Sequence, residues 1–159
     1  QNCAGRSCAS SRASSISSMR QPALRRHASV GSTSYVDSTA SPGLTYNYWV
    51  RAANAVSTSG YSSRNGGFLR TAAPTNVAAS DGTSTTSVSV SWSASPSASQ
   101  YLIFRNTAND PNTAGQLGIV GATNYVDATA AIGQTYYYWV KAVNSVSTSD
   151  FSSGARTIL

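Results

Sequence analysis

Residues 134–144 constrain this chain more than any other stretch. Side chains alternate across an extended strand, so Tyr136, Tyr138, Val140 and Ala142 share one face, while Tyr137, Trp139, Lys141 and Val143 share the other. The first face is apolar apart from its phenol hydroxyls and is expected to be buried. The second mixes aromatic and charged groups and is expected to be half solvated. The pattern recurs at 44–54, where Tyr46, Tyr48, Val50 and Ala52 line one face and Trp49 stands on the other. No segment keeps helical spacing for the roughly ten residues a helix needs. The expectation is an all-β chain.

The recurrence belongs to a longer repeat. Residues 30–63 match 120–153 without a gap, at a spacing of about 90 residues and with roughly two-thirds of positions identical. That period is too long for a solenoid unit that leans on its neighbours. It suits β-domains of about 100 residues or fewer that each hold their own core.

Strand patterns and turns follow in order. Residues 33–37 read as a strand, Ser41, Pro42 and Gly43 as a turn, and 61–70 as a last strand interrupted at Asn65, Gly66 and Gly67. Residues 71–74 read as a linker whose Pro74 suits a strand start. Residues 76–79, 87–92, 100–105, 117–120, 124–127, 135–144 and 151–157 read as the seven strands of a second unit, with turns at Asp81-Gly82 and at 109–112. Within 87–92, Val88, Val90 and Trp92 alternate with Ser, the pattern of a strand buried on one face. The domain expectation is an anomalous basic segment at 1–29, the second half of a domain at 30–72 and a complete domain at 73–159.

Residues 1–29 depart from the repeat. By spacing they correspond to two strands and a turn, yet they are rich in Arg, Ser and Ala without alternation. One reading is a reading-frame change in the coding sequence that resolves near Val30. The other is a disordered basic tail, because low hydrophobicity and one-signed charge do not repay ordering entropy. Poor packing is expected there on either reading. The same stretch explains the net charge of +6: it carries Arg6, Arg12, Arg20, Arg25 and Arg26 and no acid, while the remainder has six bases against five acids. A nucleic-acid partner requires a basic face on the folded part, and the balance there does not supply one. No apolar run approaches the roughly 18 residues of a membrane span. No signal peptide is visible in the sequence. Cys3 and Cys8 also lie in the opening stretch, and nothing in the sequence calls for a disulfide between them.

Seven short strands in this order, with Trp92, Tyr101, Gly133, Tyr136, Val140, Ala142 and Asn144 at their spacings, resemble a fibronectin type III domain. The resemblance covers residues 74–159 and, as a second half-domain, about 30–72. It implies an immunoglobulin-like sandwich of two antiparallel sheets, three strands on four. It further implies that Trp92 fills the centre of the core beside Tyr101 or Ile103, Tyr138 and Val140. Tyr136 and Tyr46 become corner tyrosines whose hydroxyls bond backbone a few residues upstream. Tyr48 and Val50 take the matching core places in the first unit. Ala130 and Ala40 stand where the family has Leu, and Ser147 and Ser57 where its last hairpin often has Gly. The wording of the repeat is most similar to modules of secreted and surface proteins of bacteria. It implies an extracellular or cell-surface location, a role as spacer or adhesive arm, and neighbouring repeats, extracellular protein or polysaccharide as partners.

Chemistry-bearing residues are sparse. His27 is the single histidine, Glu is absent and no Gly-x-Ser-x-Gly elbow occurs. Cys3, Cys8 and His27 are too few for a closed tetrahedral metal site, and Asp81, Asp127 and Asp150 fall in separate turns, where they read as solvated turn acids. No catalytic residue, cofactor or metal is assigned. The loop at 144–150 lacks the Arg and Gly of an Arg-Gly-Asp motif. The candidate ligand platform is Trp139 with Tyr137, and Trp49 in the first unit, each expected to be partly exposed and able to stack a sugar. Its competitor is packing of Trp139 on the stems of Lys141 or Arg105. The functional expectation is a non-catalytic module. Its alternatives are a carbohydrate-binding accessory module and a fragment of a polysaccharide-acting enzyme.

Overall fold

A computed structural model describes residues 14–20 and 23–159. Cys3, Cys8 and the side chain of His27 lie outside what it describes. Two compact units are present: one runs to residue 40 and resumes over 45–68, and the other comprises 41–44 and 69–159.

The described residues of the first unit form one antiparallel sheet. Its strands are β1 (Ser14–Arg20), β2 (Ala23–Val30), β3 (Thr45–Ala52) and β4 (Asn65–Phe68), in the order β2-β1-β3-β4. Two strands therefore stand where irregular chain is expected. Backbone pairing asks only for N–H and C=O groups, and the edge of β3 offers them whatever side chains β1 carries. The register also departs from the repeat. Tyr48 pairs with Ser18, whereas a strict shift of the Tyr138–Arg105 pair by one period would set it opposite Ser15. The other side of β3 keeps the repeat's register: Tyr46 pairs with Gly67 as Tyr136 pairs with Thr157. Gly66 and Gly67 lie inside β4 and do not interrupt it. Residues 33–37 form no strand, contrary to expectation.

The second unit is the three-on-four sandwich. β5 (Thr75–Ala79), β6 (Val88–Ser93) and β9 (Asn124–Asp127) form one sheet in the order β5-β6-β9. β7 (Gln100–Asn106), β8 (Gly115–Val120), β10 (Thr135–Val143) and β11 (Ala155–Ile158) form the other in the order β11-β10-β7-β8. A 3-10 turn at Pro111–Thr113 links β7 to β8, capped by the Asp110 carboxylate on Asn112 N–H. Each sheet sends its alternate residues inward. Val88, Val90 and Trp92 meet Tyr101, Ile103, Tyr136, Tyr138, Val140 and Ala142, all buried. Trp92 packs edge-on against Tyr101, with ring centroids 5.4 Å apart. The Tyr101 hydroxyl accepts from Ser95 N–H at 3.0 Å. The Tyr136 hydroxyl accepts from Ala131 N–H at 3.3 Å, the upstream backbone bond expected of a corner tyrosine.

Among the corresponding inward places of the first unit, Tyr46 is buried at 4% exposure but those that follow it along β3 are more open. Val140 is fully buried but Val50 is 40% exposed. Tyr48 is half-buried and Ala52 exposed, against full burial of Tyr138 and Ala142. The core role expected of Tyr48 and Val50 is corrected accordingly. The physical reason is that the described part of this unit has one sheet, with no second layer to close over it.

Candidate functional site

The outward face of β10 places the candidate platform. Tyr137 stacks on Trp139, with centroids 6.2 Å apart and planes 22° from parallel. Trp139 is only 3% exposed, so the partial exposure expected of it is corrected. Its cover is backbone: a Cβ on Gly154 would lie 2.7 Å from the indole Nε1 and 3.1 Å from Cε2. The charged groups of the two expected stems lie over other rings. Lys141 reaches Phe151, with Nζ 3.9 Å from the ring centroid, and Arg105 lies over Tyr136 at 4.5 Å. Phe104, the cross-strand partner of Trp139, meets Phe151 edge-on at 5.0 Å. Tyr137 is half-buried and is the accessible ring of the pair. The repeat carries the signal for this difference: Gly154 corresponds to Arg64, and Trp49 in that unit is half-buried. Gly154→Ala is expected to destabilise the second unit by about 1–3 kcal/mol through overpacking and to raise the exposure of Trp139. Near-ultraviolet circular dichroism with chemical denaturation checks it, and unchanged stability and indole signal would contradict the packing described.

A polar node closes one end of the sandwich. Asp127, expected as a solvated turn acid, is 1% exposed. Its Oδ2 accepts from Arg105 Nη1 at 2.6 Å and from the Tyr138 hydroxyl at 2.8 Å. Its Oδ1 accepts from Thr129 N–H at 2.9 Å and from the Thr129 hydroxyl at 2.6 Å. Burial alone raises the carboxyl pKa, but these hydrogen bonds outweigh it and hold the group below the usual carboxylate range. Burial and the Asp127 bond together push the Tyr138 phenol up. The first unit repeats the pair: Tyr48 donates to Asp37 at 3.1 Å, and its phenol is pushed up to about 12 by burial and that bond.

Serine hydroxyls do the work of a strand along the last hairpin. Ser149 and Ser152 hydroxyls accept from the N–H groups of Ala142 and Val140 at 2.9 and 3.0 Å. Ser59 and Ser62 do the same for Ala52 and Val50 at 3.0 and 3.1 Å. Asn144 and Asn54 each bind two backbone N–H groups of the turn that follows them. Nothing in the alternation marks these four serines, because a hydroxyl that replaces a ladder carbonyl leaves no hydrophobic pattern. Their signal is the repetition of the same Ser positions in both units.

The ends of the second unit are tied at opposite ends of β6. Thr71, 3% exposed, donates its hydroxyl to the Pro96 carbonyl at 3.1 Å, and its N–H to the Ser147 hydroxyl at 3.1 Å. Pro96 follows the end of β6. Ile158 N–H donates to Asp81 at 3.0 Å, and Gly133 N–H to the Leu159 carbonyl at 2.7 Å. Asp81 precedes the start of β6. Asp150, the other expected turn acid, pairs with Arg70 at 3.0 Å on the surface. Among the described residues, no group of three or more His, Cys, Asp or Glu side chains has metal-site geometry, and no helix is long and apolar enough to cross a membrane.

No family model matches the chain. Over 118 residues, 70% of its length, it is 35% identical to a poly(3-hydroxybutyrate) depolymerase of Ralstonia pickettii, and it spans 20% of that protein. An Fn3-like protein from Clostridium thermocellum is 30% identical, the match covering 55% of this chain and 91% of that one at a TM-score of 0.51. A two-domain fibronectin type III segment of chicken tenascin matches 97% of this chain and 88% of its own at a TM-score of 0.71. At 16% identity, that last match is a likeness of fold alone.

Proposed function

This chain belongs to the fibronectin type III family, and on that premise we propose that it is a non-catalytic spacer and interaction module in a secreted multidomain protein. The observation that carries this reading is the path of the chain through the second unit. It enters beside Pro96, where β6 finishes, and leaves beside Asp81, where β6 begins. A module held this way carries the polypeptide from one end to the other and sets a fixed advance between its neighbours. Both inward faces are filled by side chains that hold the sheets together, and the unit recurs in tandem, as an array of spacers does.

The likeness to the depolymerase favours a parent that acts on a polymer, with its catalytic part elsewhere in the protein. The module then holds a catalytic domain at a set distance from a surface. The carbohydrate-stacking alternative draws less support, because Trp139 is covered by Gly154 and only Tyr137 of that pair is accessible.

Donor and acceptor dyes at Ala72 and Leu159 test the spacer reading. The nine residues of β10, at ~3.3 Å each, set an expected separation of ~30 Å. A separation near that of neighbouring strands, roughly 5–10 Å, would overturn it. Incubation with poly(3-hydroxybutyrate) film or soluble glucan is expected to release no product. Turnover that survives repurification would return the enzyme alternative.

A further inference from the structure

We propose that the outward face of the β11-β10-β7-β8 sheet adsorbs to an apolar polymer surface that carries carboxylate chain ends, the surface that a partly hydrolysed aliphatic polyester presents. The charge of the second unit is segregated. Residues 69–159 hold four bases and four acids. Arg105 pairs with Asp127, and Arg70 with Asp150. Asp81 and Asp110 stand in loops, where each accepts from a backbone N–H. The remaining bases, Lys141 and Arg156, both lie on this one face, and neither pairs with a carboxylate among the described residues. The four strands of the sheet contain no acid. The strands of the other sheet contain no base.

Between the two cations the face is apolar. Arg156 lies opposite Tyr137, and Lys141 opposite Leu102, which in turn lies opposite Ile119. Ile119 is 53% exposed, and Leu102, Phe104 and Tyr137 are half-buried. Lys141 is seated on Phe151, its Nζ 3.9 Å from the ring centroid. The first unit repeats that seat: Arg51 lies 4.8 Å over Tyr61, a ring 47% exposed. A cation already ordered on a ring loses less side-chain entropy when it meets a partner. Tyr137 and Lys141 are four residues apart on β10, so the two cations stand ~13 Å apart along the strand. A single small carboxylate does not span that distance, whereas an extended surface does. Hydrolysis of an ester adds water across its C–O bond and leaves one carboxylate end and one hydroxyl end. An aliphatic polyester under attack is therefore apolar and anionic together, which is complementary to rings, aliphatic side chains and two cations on one plane. A soluble polyanion matches the charge but leaves Leu102 and Ile119 in water.

This inference deepens the reading of the parent as an enzyme acting on a polymer and rests on it, while the spacer reading is judged separately by the end-to-end distance of the second unit. The probe is poly(3-hydroxybutyrate) microparticles, intact or briefly treated with alkali to raise their carboxylate ends. Adsorption of the full chain is followed by its loss from the supernatant. Treated particles are expected to hold the chain about tenfold more tightly than intact ones, and added salt is expected to narrow the difference. Lys141→Gln with Arg156→Gln is expected to remove that advantage while leaving urea unfolding unchanged. Arg156→Gln alone, at an exposed position, is expected to remove part of it. Ile119→Ser is expected to weaken adsorption to both kinds of particle by roughly threefold or more. Three results would overturn the proposal. The chain stays in solution with both kinds of particle. The double variant adsorbs as the parent does, which moves the contact to another face and leaves the polymer reading standing. Or Ile119→Ser adsorbs unchanged and polygalacturonate binds the chain as tightly as treated particles do, which makes any polyanion the partner.

Discussion

Replacing Trp92 by Ala is expected to destabilise the second unit by about 3–5 kcal/mol, the range for removing a large aromatic from a packed core. Trp92 is 6% exposed and joins the β6 layer to Tyr101 on β7, so the lost volume lies between the sheets and neither sheet can move in without breaking its own ladder. Domains of this size hold about 5–15 kcal/mol in total, so the variant is expected to be near its unfolding threshold. Urea denaturation of the full chain measures it. A loss below about 1 kcal/mol would mean that the indole is not central to the core. The conservative variant separates volume from polarity. Nε1 of Trp92 is buried without a hydrogen-bond partner among the described residues. Trp92→Phe removes that unpartnered donor, whose burial works against the folded state. It is therefore expected to lose less than half of what Trp92→Ala loses.

Asp127→Ala is the second large effect, expected at about 3–5 kcal/mol because it strips the partner from a buried ion pair. The Arg105 side chain is 21% exposed and recovers some hydration, but the Tyr138 hydroxyl is fully buried and is left without its acceptor. Asp127→Asn keeps an acceptor oxygen and is expected to fall between the parent and the Ala variant. The acid limb of stability follows from the direction of the Asp127 shift. Its folded pKa is depressed, so the contribution is complete above the unfolded value of about 3.9 and is lost as pH falls through the lower folded value. The parent should lose stability over that window, and Asp127→Asn should lose less over the same range. Equal acid sensitivity of the two proteins would show that Asp127 is not the group responsible.

The two positions differ in how visible they are in the sequence. Val88, Val90 and Trp92 stand against Ser89 and Ser91, and a period of two with one apolar set allows a single inward face. The inward face of that strand was legible for that reason, whereas the sandwich, the central place of the indole and the corner tyrosine were implied by the resemblance to the fibronectin type III domain. Asp127 was legible from neither. A carboxylate after a strand reads as a solvated turn acid, and its burial depends on Arg105, which is 22 residues away and on the opposite sheet. Trp139 was misread for a related reason: alternation sets it on the outward face of β10 correctly, but outward is not exposed once Gly154 brings backbone against the indole.

The sequence by itself determined the period, the strand class and the inward set, because each follows from the pleat of a single strand and its repetition along the chain. Only the tertiary structure decided which outward groups are covered and which acids are paired. It also decided that the same Tyr-x-Val-x-Ala face is sealed in one unit and more open in the other. Burial belongs to whatever lies across from a residue, and the chain's local pattern states which side it faces but not what meets it there.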